Sequence, residues 1–156
     1  MKKKSEKSIN FFAWILFTMY IGMIFYFMFF SEHYGRTVTY VDYKYNLEPF
    51  REIKRFWNYR GQLGFENVVV NLFGNVLGFV PYGMMLPLLS QRRRSFFLVT
   101  LLTLEFSLLI ETTQLITKAG CFDVDDLILN TLGGSLGYIL YIVLIQRKKR
   151  WRKRNA

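Results

Sequence analysis

Four runs of apolar residues divide the chain, and each is long enough to cross a lipid bilayer. The first run contains no charged side chain in 22 positions. As an α-helix it would extend about 33 Å, against a hydrocarbon core of about 30 Å. The pattern predicts an all-α polytopic membrane protein with four transmembrane helices in a single domain covering residues 1–156. The predicted spans are residues 9–30, 67–89, 95–117 and 127–145.

The first apolar run follows the basic stretch MKKKSEKS, an arrangement that also begins secretory signal peptides. A signal peptide has an apolar region of roughly 7–15 residues followed by a cleavage site of small residues. This run is longer and ends in Phe29, Phe30, Ser31 and Glu32. We therefore interpret it as a retained transmembrane helix.

Between the first two spans, residues 46–60 form a short amphipathic segment. Phe50, Ile53 and Trp57 recur at helical spacing and would share one face, whereas the basic side chains point elsewhere. This arrangement predicts a helix that lies in the membrane interface. The alternative is an ordinary surface helix that packs on the loop. The basic side chains are Arg51, Lys54 and Arg55.

The chain carries 21 Lys and Arg against 11 Asp and Glu, a formal charge of +10, and their distribution predicts its orientation. Fourteen of the basic residues lie in the amino-terminal tail, the link 90–94 and the carboxy-terminal tail 147–156. Cytoplasmic loops are enriched in Lys and Arg, so both termini are predicted to be cytoplasmic. Beside a span, the basic tail indicates topology and contact with anionic lipid, and we predict no nucleic-acid partner.

With this orientation, polar residues from three spans and one link fall at the level of the outer leaflet. In the third span, Thr103, Ser107, Glu111 and Gln114 follow one helical stripe. An ionised carboxylate inside a bilayer is costly and normally faces a partner or a wet cavity. We therefore predict an acidic pocket that opens toward the outer leaflet. Its predicted ligand-binding residues are Asn75, Glu111, Gln114, Asp123, Asp126 and Asn130.

The chemistry of this oxygen-rich group leaves several interpretations open. Glu111, Asp123 and Asp126 are candidate ligands for a hard cation such as Mg²⁺ or Ca²⁺. Bare carboxylates could instead bind an amine, and Glu111 or Asp126 is a candidate general base. The alternative is a purely structural role, in which an amide of a neighbouring span donates a hydrogen bond to Glu111.

Two further acids call for a different interpretation. Glu105 lies near the bilayer middle and is rotated about 120° from the polar stripe. We interpret it as a protonated side chain that is hydrogen-bonded to a neighbouring span. Asp125 is interpreted as facing water.

Three sequence pieces together resemble the VanZ-like family of small bacterial membrane proteins. Asn46-Leu47-x-Pro49-Phe50 resembles the family's N-L-x-P-F, and Asn75 to Gly83 resembles its N-x-x-x-F-x-P-F-G. Glu111-x-x-Gln114, followed by Asp123-x-x-Asp126-x-x-x-Asn130, resembles its E-x-x-Q and D-x-x-D-x-x-x-N block. The three pieces occur in order and at suitable spacing, and they cover about residues 46–138.

The resemblance implies a multi-pass protein of the bacterial plasma membrane, associated with resistance to lipoglycopeptide antibiotics of the teicoplanin type. The favoured hypothesis is a protein that binds an amphiphilic cell-envelope ligand, such as a lipid-linked wall precursor or the antibiotic. The alternatives are an enzyme acting on a polyprenyl or wall-precursor lipid, a small transporter or flippase subunit, and a structural partner of another membrane protein. Besides the lipid bilayer, a second copy of the chain is a candidate partner.

Overall fold

The computed structural model describes residues 2–30, 42–59, 61, 65–89 and 95–154. His33 and the predicted basic link at 90–94 lie outside this part of the chain. The described elements, in chain order, are α1 (Lys2–Phe30), β1 (Lys44–Asn46), α2 (Arg51–Asn58), α3 (Phe65–Leu89), α4 (Phe96–Thr117), β2 (Cys121–Asp123) and α5 (Val124–Arg154).

Four of the helices are long and apolar enough to cross a membrane, which confirms the all-α polytopic fold. Their apolar windows are Phe11–Phe30, Asn71–Leu89, Phe96–Thr117 and Val124–Leu144. The first three predicted spans end at the same residues as α1, α3 and α4. Helices α3 and α4 also begin within two residues of the predicted starts, whereas α1 begins seven residues earlier, in the basic tail. The fourth differs at both ends, because α5 begins three residues earlier than the predicted span and continues through the basic tail to Arg154.

Helices α3 and α5 pack backbone to backbone at glycine residues. A Cβ atom added to Gly133 would lie 2.1 Å from the main-chain oxygen of Val76, and one added to Gly137 would lie 2.0 Å from that of Val80. Small residues permit this kind of close approach between transmembrane helices. The same register places Asn75, next to Val76, beside the first turn of α5.

Helix α4 turns its polar stripe toward the interior of the bundle. Thr103, Ser107, Glu111 and Gln114 are all buried, as the sequence predicted. The side chain of Asn130 on α5 donates to the Ser107 hydroxyl at 2.9 Å. Buried polar groups are normally paired, and here α4 and α5 supply partners for each other.

Helix α1 contacts the bundle along a narrow strip. Ile24 and Met28 are buried, whereas most of its large apolar side chains are exposed. Hydrogen bonds of the described residues fasten it: the Tyr20 hydroxyl donates to the Gly78 carbonyl at 2.5 Å, and Gln114 Nε2 donates to the Met28 carbonyl at 2.7 Å. The remaining surface of α1 is suited to contact with lipid.

A two-stranded parallel sheet, which the sequence analysis did not predict, joins the segment before α2 to the link before α5. Lys44 of β1 pairs with Cys121 of β2, and Asn46 pairs with Asp123. The strands are three residues each, so they carry little periodic signal. Their pairing brings α2 onto the end of α3 and α5.

Candidate functional site

The first turn of α5 is the point where the three family-like sequence pieces meet. It is preceded by Asp123 and contains Asp125 and Asp126. Each of these carboxylates accepts a hydrogen bond from a different part of the chain. The geometry of the site is therefore organised around three acids that span four positions.

Asp125 binds the amino-terminal end of α2, which corrects the interpretation that it faces water. It is only 1% exposed. Its Oδ1 accepts from the main-chain N–H of Phe50, and its Oδ2 accepts from those of Glu52 at 2.8 Å and Ile53 at 3.1 Å. The first amides of a helix have no partner within the helix, and a carboxylate near them is also favoured by the helix dipole.

The cap that Asp125 supplies replaces one that α2 lacks in its own sequence. Phe50 occupies the N-cap position, where its side chain has no acceptor, and its φ of 65° lies in the left-handed region. That conformation is uncommon for a bulky residue and persists only where the surroundings hold it in place. A carboxylate from another helix therefore fixes where α2 begins.

Asp123 joins β1, α4 and α5. Its Oδ1 accepts from Asn46 Nδ2 at 3.0 Å and from the Asp125 main-chain N–H at 2.8 Å. Its own N–H donates to Glu111 Oε2 at 3.0 Å, and Glu111 is fully buried. The buried carboxylate of Glu111 thus holds the main chain of Asp123 in position.

Asp126 is positioned by α3. Asn75 Nδ2 donates to its Oδ1 at 2.5 Å, and Asn75 is 4% exposed. This contact follows from the close packing of α3 on α5. It confirms that the polar groups of these two helices lie at the same level.

A cavity of about 210 Å³ lies between α2 and the ends of α3 and α5. Four acidic residues and, among the described lining residues, one arginine line it, which leaves three negative charges when all are ionised. The guanidinium of Arg55 lies 2.8 Å from the carboxylate of Glu52. The cavity is lined by Glu52, Ile53, Arg55, Phe56, Asn71, Leu72, Gly120, Cys121, Asp123, Asp125, Asp126 and Leu129.

The predicted ligand-binding residues occupy three different kinds of position. Asp123 and Asp126 line the cavity. Asn75 and Glu111 do not line it, but each is hydrogen-bonded to one of those two residues. Gln114 and Asn130 are directed elsewhere: the first bonds to α1 and the second to Ser107.

The sequence analysis missed the contribution of α2 to this site. Glu52 and Arg55 line the cavity, because α2 turns Glu52, Ile53 and Phe56 toward the bundle. The predicted apolar face divides: Ile53 is half-buried, whereas Phe50 is 50% exposed and Trp57 is 64% exposed. In the sequence, the only sign of this role was an acidic residue, Glu52, among basic neighbours, and that pattern does not indicate which element the helix contacts.

The candidate metal ligands do not form a compact group. Within the described ranges, no three His, Cys, Asp or Glu side chains are arranged to hold a metal ion. Glu111 faces the Asp123 main chain, whereas Asp126 faces Asn75. This geometry gives no support to a site for Mg²⁺ or Ca²⁺ at Glu111, Asp123 and Asp126, which stays a prediction.

Burial changes the proton affinity of the groups outside the spans that line the cavity. It raises the pKa of the Asp123 carboxyl, although the bonds from Asp125 and Asn46 partly oppose this. It also raises the pKa of the Glu52 carboxyl, against the attraction of Arg55. The pKa of the Cys121 thiol rises to about 11, first through burial and then through nearby carboxylates such as Asp123. The thiol is therefore protonated at neutral pH.

Glu105 lies off the buried stripe of α4, as the sequence analysis expected, but without the expected hydrogen bond. It is exposed on α4, and within the described part of the chain it makes no hydrogen bond or ion pair. The face of α4 that carries it is opposite the buried stripe, so no span of the same chain covers it. The expected bond to a neighbouring span of this chain is therefore wrong for the described residues.

The fold is that of a multi-pass membrane protein with four candidate spans and an acidic cavity at one end of the bundle. The family model VanZ/LLP1 matches residues 17–145, which is most of the chain. The chain belongs to the VanZ/LLP1 family, as the three sequence pieces indicated. No curated protein and no solved structure matches it.

Proposed function

We propose that this protein binds the cationic headgroup of an amphiphilic cell-envelope ligand in the cavity beneath α2. The observation that carries the proposal is a cavity of about 210 Å³ in which carboxylates outnumber basic groups, at the end of a transmembrane bundle. Through this binding we further propose a contribution to resistance against lipoglycopeptide antibiotics of the teicoplanin type.

The electrostatics of the cavity favour a cation. Carboxylates that lose water on burial are stabilised by an opposite charge within a few ångströms. Asp125 is already used by the amides of α2, and Asp123 by Asn46 and the main chain. Glu52 and Asp126 are less buried than these two and also line the cavity, so we assign them to the ligand, although Asp126 also accepts from Asn75 and Glu52 also pairs with Arg55. An ammonium group on the ligand would compete with Arg55 for Glu52.

The surroundings of the cavity favour an amphiphile. Leu47, Phe50 and Trp57 are 50–64% exposed on the segment that covers the cavity. Large apolar side chains on a short amphipathic helix are typical of contact with the headgroup and acyl boundary of a bilayer. The distribution of Lys and Arg supports placing this end of the bundle at the outer leaflet. An amphiphile that carries an amine, as teicoplanin does, would then reach the cavity from the membrane.

A binding measurement tests the headgroup site. The full chain in lipid nanodiscs is titrated with teicoplanin and with deacylated teicoplanin. We expect Asp126→Asn and Glu52→Gln each to weaken teicoplanin binding about tenfold, the size of a lost hydrogen bond to a charged group. Asp42→Asn is the matched control, because Asp42 is exposed and outside the cavity. Equal affinity of the wild type and both cavity variants would overturn the assignment.

The resistance phenotype is tested separately in a susceptible bacterium that expresses each variant at equal membrane abundance. The minimum inhibitory concentration of teicoplanin should rise with the wild type and with Asp42→Asn. It should fall back with Asp126→Asn. If the wild type changes nothing, the link to resistance fails while the binding site is judged by the titration alone.

A second candidate function is an enzyme that acts on a polyprenyl or wall-precursor lipid. The observation that favours it is Asp126, because this candidate general base lines the cavity and is oriented by Asn75. Glu111, the other candidate, is fully buried behind Asp123. Conversion of a labelled polyprenyl phosphate by the purified wild type, lost in Asp126→Asn, would favour the enzyme over the binding protein.

A further inference from the structure

The position of Glu105 is unfavourable in a single copy of this protein, because its carboxyl group would face lipid. It is the tenth of 22 residues in α4 and lies about 14 Å from the start of the helix, near the middle of the bilayer. It is exposed, so in one copy it faces hydrocarbon. An ionised carboxylate at this depth costs at least about 2.5–3.5 kcal/mol, and a protonated one still lacks a hydrogen-bond partner.

The residues around Glu105 form a continuous exposed stripe. Leu98, Leu101 and Leu108 are 42%, 41% and 45% exposed, and Thr112 is also exposed. With Glu105 between them, their positions are separated by 3, 4, 3 and 4 residues. That alternation averages 3.5 residues, the repeat at which two helices pack side by side. A single polar residue inside such a stripe specifies the register of the pair.

The chemistry of the chain says which partner suits this stripe. None of the four spans contains a Lys or Arg that could neutralise Glu105 as an ion. A protonated carboxyl, however, is both donor and acceptor, so two of them complement each other. Two copies of one chain insert with the same orientation, and a two-fold axis along the membrane normal brings identical residues together at the same depth.

We propose that the protein self-associates through this stripe of α4 (Leu98, Leu101, Glu105, Leu108 and Thr112). The two Glu105 carboxyl groups, protonated, bond to each other across the axis. The leucines above and below exclude lipid from the contact. No described residue of α4 lines the cavity beneath α2, so this contact is separate from the proposed ligand site.

The first test measures association of the full chain in liposomes by energy transfer between labelled copies, over a range of lipid-to-protein ratios. We expect a dimer whose dissociation constant rises about 3- to 30-fold in Glu105→Leu, the range for hydrogen bonds between transmembrane helices. Glu105→Gln should retain association, because an amide also donates and accepts. A monomeric wild type, or equal association of wild type and Glu105→Leu, would overturn the proposal.

The second test locates the contact by disulfide cross-linking. The chain has one cysteine, so Cys121→Ser provides a background without thiols. In it, Leu101→Cys and Leu108→Cys should each give a cross-linked dimer on oxidation. Leu77→Cys is the matched control, because Leu77 is 63% exposed near the middle of α3. Cross-linking that is stronger at the control position would overturn this interface even if the protein is a dimer.

Discussion

Glu105 and Glu111 lie six residues apart on one helix, yet they have opposite surroundings. Glu111 is fully buried and accepts the Asp123 N–H at 3.0 Å, whereas Glu105 faces outward from the bundle. Six residues at 100° each rotate the side chain by about 120°, which is enough to move it from one face to the other. Residue type alone therefore does not decide whether a carboxyl in a span bonds to a group of its own chain or needs a partner from outside the chain.

The strongest test of this contrast replaces each acid with leucine. Glu111→Leu leaves the Asp123 N–H buried without its acceptor, so we expect the free energy of unfolding to fall by about 2–3 kcal/mol. Glu105→Leu breaks no contact within the chain and should change it by less than about 0.5 kcal/mol. Steric trapping in bicelles, at a dilution where the wild type is monomeric, measures both.

Glu111→Gln serves as the control for this pair, because its amide oxygen can still accept from Asp123. It should recover most of the loss. Equal destabilisation by the two leucine variants would contradict the distinction between the two faces of α4.

The next largest effect concerns Asp125, an acid that acts on a different element. Asp125→Ala removes the acceptor of three amides, so α2 should open locally more easily by about 2 kcal/mol. Hydrogen exchange at Phe50, Glu52 and Ile53 would then accelerate roughly 30-fold, while the amides of α4 keep their protection.

Asp125→Asn is the matched variant for the cap. Its remaining oxygen can accept from one or two of the amides, so exchange should be intermediate. If α2 exchanges equally fast in the wild type and in Asp125→Ala, the carboxylate does not hold the helix.

The sequence predicted the four spans because each one carries a long apolar signal that depends on no other part of the chain. It also predicted the buried stripe of α4, since polar residues at helical spacing in a span must face the interior. The predicted depth of Asp126 and Asn75 in the membrane was enough to place them at the same level, and they are hydrogen-bonded in the structure. Periodicity along one helix and depth along the membrane normal were sufficient for these features.

What the sequence could not supply is how elements pair across long separations. The cap of α2 joins Phe50 to Asp125, and the sheet joins Asn46 to Asp123, each across more than 70 residues. Neither contact has a local signal: Phe50 looks like an apolar anchor and Asp125 like a surface acid. The role of Glu52 in the cavity depends on both contacts, so it was missed with them.

Gln114 provides a smaller test on the same stripe as Glu111. Its amide donates to the Met28 carbonyl and so fastens the far end of α1. Gln114→Leu should cost about 1 kcal/mol, less than Glu111→Leu, because interhelical hydrogen bonds in membranes are modest. The distance distribution between the Met28 end of α1 and α4, followed by spin labels on the two helices, should broaden in Gln114→Leu.

Tyr20→Phe is the control on the same helix, since it removes a bond of α1 to Gly78, at a different position. It should loosen the middle of α1 and leave its end near Met28 in place. A uniform change in both variants would mean that α1 is held by apolar contact rather than by these two bonds.

The smallest expected effect is on the pH dependence of stability. Burial raises the pKa of Asp123 and Glu52 above the ordinary values of about 3.9 and 4.3. In the interval from those values up to the raised ones, the folded protein binds more protons than the unfolded chain. The free energy of unfolding therefore falls as the pH rises through that interval, and the benefit is complete below it.

We expect only a small fall in the free energy of unfolding between pH 4 and pH 7, because solvent partly screens Glu52. Asp123→Asn and Glu52→Gln should each reduce the slope, while Asp42→Asn should not. A cationic ligand would act in the opposite direction, since it favours the ionised carboxylates: its affinity should fall as the pH is lowered through the same interval. Stability and binding that both increase toward neutral pH would contradict the assignment of these two acids to a desolvated cavity.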